Sequence, residues 1–168
     1  MRVPGYMKQL ALTLALIGGM ACTVMAQQPP IIKWADLQGY MDRDSDTLYV
    51  LNFWATWCKP CVAEMPHFER VQAEKAGDKV QVIFVSLDFK NQYDALLMPF
   101  LKRKKVQCPV MLLDEPKYND WIDKLDPAWS GAIPATLFVQ HSRGIRKFHE
   151  GDFTYDELSS TVNDLLSK

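Results

Sequence analysis

The sequence predicts an α/β domain: a mixed central β-sheet flanked by helices on both faces. Three observations carry this. Apolar runs rich in β-branched and aromatic residues alternate with stretches of helical periodicity. Two late runs, Ala135 to Gln140 and Ile145 to Glu150, are joined by a hairpin-like turn, His141-Ser142-Arg143-Gly144. The chain has 168 residues, 48% hydrophobic and 23% charged, which suits one domain with a sizeable core.

In chain order, residues 1–26 read as a leader, 27–30 as a short polar, proline-containing linker and 31–168 as the folded domain. Arg2 and Lys8 precede an apolar run from Leu10 to Ala21, and Val24-Met25-Ala26 offers small residues for cleavage before Gln27. That is the pattern of a secretory signal, and the run is shorter than the roughly 20 residues a spanning helix needs. Two alternatives stand beside cleavage: a retained anchor, and lipidation at Cys22 after Gly19-Met20-Ala21. Gly19 stands where bacterial lipoproteins usually carry Leu.

Ile31 to Met41 begins extended and holds a brief turn of helix at Ala35-Asp36-Leu37; Asp42 to Asp46 is a charged loop. Thr47 to Trp54 is nearly all apolar and predicts a strand buried on both faces, not an edge. Val62, Met65, Phe68 and Val71 then recur at helical spacing, with Pro66 inside the pattern and Gly77 at its end. Lys79 to Leu87 is a second central strand, Asp88 to Asn91 a loop, and Gln92 to Lys105 an amphipathic helix carrying Leu96, Leu97, Phe100 and Leu101. Val110 to Leu113 is a short strand, Pro116 to Leu125 a helix and Asp126 to Ile133 a loop. After the hairpin, Thr154 to Leu166 is a helix, with Thr154 and Glu157 forming a capping box.

The formal net charge of -1, with no long run of one sign, argues against nucleic acid or an acidic membrane surface as partner. Lys102-Arg103-Lys104-Lys105 reads as the solvated end of a helix, where cations suit the helix dipole. Beyond the leader three cysteines remain, Cys58, Cys61 and Cys108. An odd count in a chain long enough to fold on its core is not a disulfide framework, so the close pair reads as chemistry. Cys58-Lys59-Pro60-Cys61 lies where the strand gives way to helix. A helix N-terminus presents unpaired N–H groups that favour a thiolate, which makes Cys58 the nucleophile and Cys61, one turn deeper, the resolving thiol. Cys108 reads as a small buried hydrophobe.

Phe53-Trp54-Ala55-Thr56-Trp57-Cys58-Lys59-Pro60-Cys61, with Pro66 in the following helix and Ile133-Pro134 ahead of a strand, resembles the thioredoxin-fold proteins. Within them it is similar to the extracytoplasmic TlpA/ResA-like thiol-disulfide oxidoreductases, from about Ile31 to Leu166. The resemblance implies the thioredoxin fold and a cis bond before Pro134 beside the cysteine pair, with the Ile133 backbone pairing to a substrate segment. It implies that Trp57 shields the disulfide and shapes docking, and that Lys59 and Pro60 tune the potential. Asn52 stands where thioredoxin has a buried aspartate. Glu64 stands where ResA-like proteins carry an active-site glutamate able to take the proton of the resolving thiol; the alternative is a solvent-facing helix residue. The pair itself would be the redox group, with no metal or organic cofactor. Implied partners are oxidised envelope proteins such as apocytochrome c, as substrates, and a membrane electron donor of the DsbD/CcdA type; the implied place is the periplasm.

Other chemistries fit less well. Peroxiredoxins carry a threonine three residues before their peroxidatic cysteine, and here that residue is Ala55. A zinc site would need more ligands than His67, His141, His149 and Cys108 supply in paired spacing. An adaptor or chaperone with a structural disulfide, or an oxidising or isomerising enzyme, remains open. Trp121 and Trp129 stand equally as core or as shapers of substrate choice.

Overall fold

The computed structural model describes residues 28–167. The expected leader and Cys22 lie outside the described residues. Chain order is β1 (Ile31–Ile32), α1 (Trp34–Met41), β2 (Leu48–Trp54), α2 (Lys59–Glu74), β3 (Val80–Ser86), α3 (Met98–Lys104), β4 (Val110–Leu113), α4 (Ile122–Leu125), β5 (Ala135–Gln140), β6 (Ile145–Glu150) and α5 (Tyr155–Ser167). The strands form one sheet in the order β1-β4-β3-β2-β5-β6. The first four of that order run parallel, whereas β5 is antiparallel to β2 and β6 to β5.

Every residue of β2 is buried, as its nearly continuous apolar run requires of a strand with neighbours on both edges and helices on both faces. Its side chains alternate between two cores. Leu48, Val50 and Trp54 pack with Met65 and Phe68 of α2, Phe100 of α3 and Leu158 and Val162 of α5. Tyr49, Leu51 and Phe53 face Leu37 of α1, Leu125 of α4, Trp121 and Trp129. The hairpin strands have the limits the sequence predicts, and α5 carries its capping box. The Thr154 N–H donates to Glu157 at 3.0 Å and the Glu157 N–H donates to the Thr154 hydroxyl at 3.3 Å.

Three elements differ from the sequence expectation. The brief turn at Ala35 is a full helix, α1, whose Asp36 accepts the Lys33 N–H at 2.9 Å while Glu115 accepts that of Trp34 at 3.0 Å. Gln92 to Lys105 is not one regular helix. Pro99 has no N–H to close a turn onto Ala95, and the chain widens into a π-turn over Tyr93–Leu97 before α3. That turn shifts the helical face, leaving Leu97 and Phe100 buried and Leu96 exposed. The helix expected over Pro116 to Leu125 shrinks to a 3-10 turn, Tyr118–Asp120, and the four residues of α4. Between them Trp121 leaves helical geometry, with φ -137°, and its indole N–H donates to the Glu115 carbonyl at 3.1 Å.

Candidate active site

Sheet topology gathers the site. β2 ends at Trp54, and because β5 is antiparallel to it, with Phe53 opposite Ala135, the residues just before β5 lie beside those just after β2. β6 ends at the same edge, with Glu150 opposite Ala135. The Gly151 N–H donates to the Pro134 carbonyl at 2.9 Å, binding these segments together.

Cys58 is the N-cap of α2 and is joined to Cys61 by a disulfide. Its sulfur accepts the Cys61 N–H at 3.3 Å, so a donor of the first helical turn is already directed at it. Pro60 sits in that turn, where a missing N–H costs nothing. Cys61 is fully buried, and Cys58 is 5% exposed. Trp57 is 60% exposed beside them, and Lys59 and Pro60 are also exposed. Across from Cys58, the Ile133 carbonyl oxygen lies 3.7 Å from its sulfur, and the Ile133-Pro134 bond is cis.

Glu64 does not face solvent, the alternative left open by the sequence; it is 2% exposed, one turn beyond Cys61. Its carboxylate accepts the Asn52 side-chain amide at 2.8 Å and the Phe153 N–H at 2.7 Å. Asn52 also donates to the Thr136 hydroxyl at 3.1 Å. Burial pushes the Glu64 pKa up to about 7; the two hydrogen bonds oppose the rise, and Asp152 nearby adds to it. Near neutrality such a group exchanges protons readily, as a general acid-base residue must.

Residues 25–148 match the AhpC/TSA family. The chain belongs to this family. The chain is 32% identical over 116 residues to the thiol-disulfide oxidoreductase ResA of Oceanobacillus iheyensis, covering 69% of this chain and 56% of that protein. It is 30% identical over 140 residues to the thioredoxin-like protein YneN of Bacillus subtilis, covering 82% and 78%. The chain thus spans little more than half the length of that ResA protein. A thioredoxin-related protein of Neisseria meningitidis serogroup B superposes with a TM-score of 0.63 at 24% identity, covering 74% of this chain and 88% of that one. StoA from Bacillus subtilis gives 0.54 at 24%, covering 69% and 82%. The mixed sheet and its helices are the thioredoxin fold.

In this AhpC/TSA-family chain Trp121 and Trp129 are core residues, buried against Phe53, with ring centroids 6.5 and 5.0 Å from it. Cys108 is buried too; desolvation, with Glu69 close by, pushes its thiol far above the usual range. His67 is half-buried on α2. Sequence reasoning passed over Thr136 and Phe153, which hold the Asn52–Glu64 pair, and Asp88, which holds Thr56. Only Asp88 carried a signal, as an acid just past a parallel strand, at the strand ends where α/β folds place their sites.

Proposed function

We propose that this protein is a thiol-disulfide oxidoreductase that reduces disulfides of other proteins outside the cytoplasm. The observation that carries the reading is the Cys58 sulfur, which caps α2, accepts the Cys61 N–H and, at 5% exposure, lies just beneath the surface between exposed Trp57 and the Ile133 carbonyl. In the reduced pair, the Cys58 thiolate attacks one sulfur of a substrate disulfide. That bond breaks, one substrate thiolate leaves and a mixed disulfide forms. Cys61 gives up its proton and attacks the Cys58 sulfur, releasing the second substrate thiolate and leaving the Cys58–Cys61 disulfide. Two electrons pass from the pair to the substrate. Glu64, buried one turn from Cys61 with its pKa near neutrality, receives the Cys61 proton.

The dithiol suffices as the redox group. Trp57, Lys59, Pro60 and Ile133 form the substrate-facing edge, the Ile133 backbone pairing with the substrate strand ahead of Pro134. The leader supports a periplasmic or envelope setting, with either cleavage or a lipid at Cys22; among the described residues no helix is long and apolar enough to cross a membrane. Oxidised envelope proteins, apocytochrome c among them, are the proposed substrates, and a membrane donor of the DsbD/CcdA type is the proposed source of electrons.

Reduction of insulin disulfides with dithiothreitol tests the activity. The wild type accelerates it, Cys58→Ser abolishes the acceleration, and Cys61→Ser retains substrate as a mixed disulfide. An unaltered rate in Cys58→Ser overturns catalysis in favour of an adaptor. Equilibration with a thiol buffer tests direction: a potential close to about -270 mV or below fits a reductant, and one near about -120 mV an oxidant.

A further inference from the structure

Asp88 is a buried acid that the exchange mechanism leaves unused. It lies two residues beyond β3 and is 2% exposed. Its carboxylate oxygens accept the Thr56 N–H at 3.2 and 3.1 Å, the Thr56 hydroxyl at 2.6 Å and the Ser86 hydroxyl at 2.8 Å. Its own N–H donates to the Ser86 hydroxyl at 3.1 Å. Among the described residues these are its hydrogen-bond partners, and all are neutral. A carboxylate withdrawn from water is normally paired with a cation, because dipoles alone replace its hydration less fully. A purely structural tie between β3 and the turn would be met by an uncharged side chain at lower desolvation cost.

The tie has a specific target. Thr56 belongs to the turn from Ala55 to Cys58, closed by the Cys58 N–H donating to the Ala55 carbonyl at 3.1 Å. That turn presents Trp57 and Cys58 together, and on the other side Asp88 is followed by Phe89, 53% exposed. The geometry points to Asp88 as a positioning residue for thiol-disulfide exchange, fixing the Thr56-Trp57-Cys58 turn and setting a negative charge behind it that opposes ionisation of the Cys58 thiol. The helix N-terminus pulls Cys58 toward thiolate, and Asp88 acts against that pull. A less stable thiolate means a less stable reduced pair, hence a more reducing one. The other ionisable groups around the turn are Lys59, Cys61 and Glu64 on α2, Asp152 next to Glu64, and Lys90, Asp114, Glu115 and Tyr118 beyond Asp88. Lys90 is paired with Asp114 at 3.5 Å.

This role rests on Cys58 being the nucleophile, and its test needs no protein substrate. Asp88→Asn keeps the shape and removes the charge. In the reduced protein, the pH at which Cys58 becomes half ionised, followed by iodoacetamide alkylation, falls by about half a unit to one unit. Alkylation well below that pH speeds up about threefold to tenfold, and the potential of the pair moves in the positive direction. Thr56→Val keeps the charge but removes a hydroxyl that screens it, and the midpoint rises. Thr56→Ser, which restores the hydroxyl, returns the wild-type value. Urea unfolding of the oxidised proteins reports whether each variant is folded. A folded Asp88→Asn with wild-type alkylation and potential overturns the role; if that variant does not fold, an unmoved midpoint in Thr56→Val does so. Failure of the wild type to reduce insulin would instead strike the proposed function and leave the thiol measurements standing.

Discussion

Along β2, Asn52 points toward α2 and α5 while its neighbour Phe53 points toward Trp121 and Trp129, and the two faces of the sheet differ as those residues do. On the Phe53 side, Trp34, Trp121, Trp129 and Phe148 continue an aromatic cluster, with Trp121 and Trp129 centroids 5.5 Å apart. On the Asn52 side the core is equally apolar except at one edge, where Asn52, Glu64 and Thr136 form a buried hydrogen-bonded chain next to Cys61. On the aromatic face the buried indole N–H groups of Trp121 and Trp129 are met by the Glu115 and Ala132 carbonyls, and no carboxyl is buried among those rings. The other face accepts the desolvation of a carboxyl one helical turn from Cys61.

The largest effect that separates the faces is expected from Trp121→Ala, which empties the aromatic side. It should cost about 3 to 5 kcal/mol in urea unfolding of the oxidised protein, with the Cys58–Cys61 potential unchanged. A shifted potential would mean that the aromatic face also shapes the site.

Next comes the pH dependence of the polar side. The Glu64 pKa is about 7 in the folded protein, against about 4.5 when the chain is unfolded. The folded state therefore holds this proton more tightly, and the stability it contributes is complete below about pH 4.5 and lost as pH rises through about 7. The loss is about 3 kcal/mol. Unfolding free energies measured across that window should show the fall in the wild type and not in Glu64→Gln, whose side chain does not titrate. A slope of the same size in Glu64→Gln would place the titrating group elsewhere.

The smallest effect is expected from Asn52→Ala, which leaves Glu64 one donor poorer and costs about 1 to 3 kcal/mol. Loss of that donor also raises the pH at which Glu64 ionises, so the stability transition and the pH profile of insulin reduction both move upward. A profile that stays in place while stability falls would reduce Asn52 to a packing residue.

The central strands and the hairpin were legible because their apolar content is set by burial on both faces and by a turn with few conformations. β5 and β6 have the predicted limits for that reason. The stretch from Pro116 to Leu125 misleads because a helical spacing of apolar residues also describes a loop that inserts Trp121 into a core, and only the Glu115 carbonyl that receives its indole decides between them. Gln92 to Lys105 misleads in register, since a π-turn before Pro99 moves Leu96 to the surface without changing the apolar count. In the site, Cys58, Cys61 and Pro134 were legible from spacing and resemblance, and Glu64 as a candidate. Its burial was not, because it depends on Phe153, 89 positions away in sequence. The Asp88 clamp likewise depends on the pairing of β2 with β3, which sets Trp54 opposite Ser86.

Trp57 is the one tryptophan of this chain held out in water, since Trp54, Trp121 and Trp129 are buried and Trp34 is half-buried. The protein therefore carries its own optical probe at the proposed docking edge. Acrylamide in solution reaches that indole first, so protection of the fluorescence from quenching reports an occupied docking edge with no label attached.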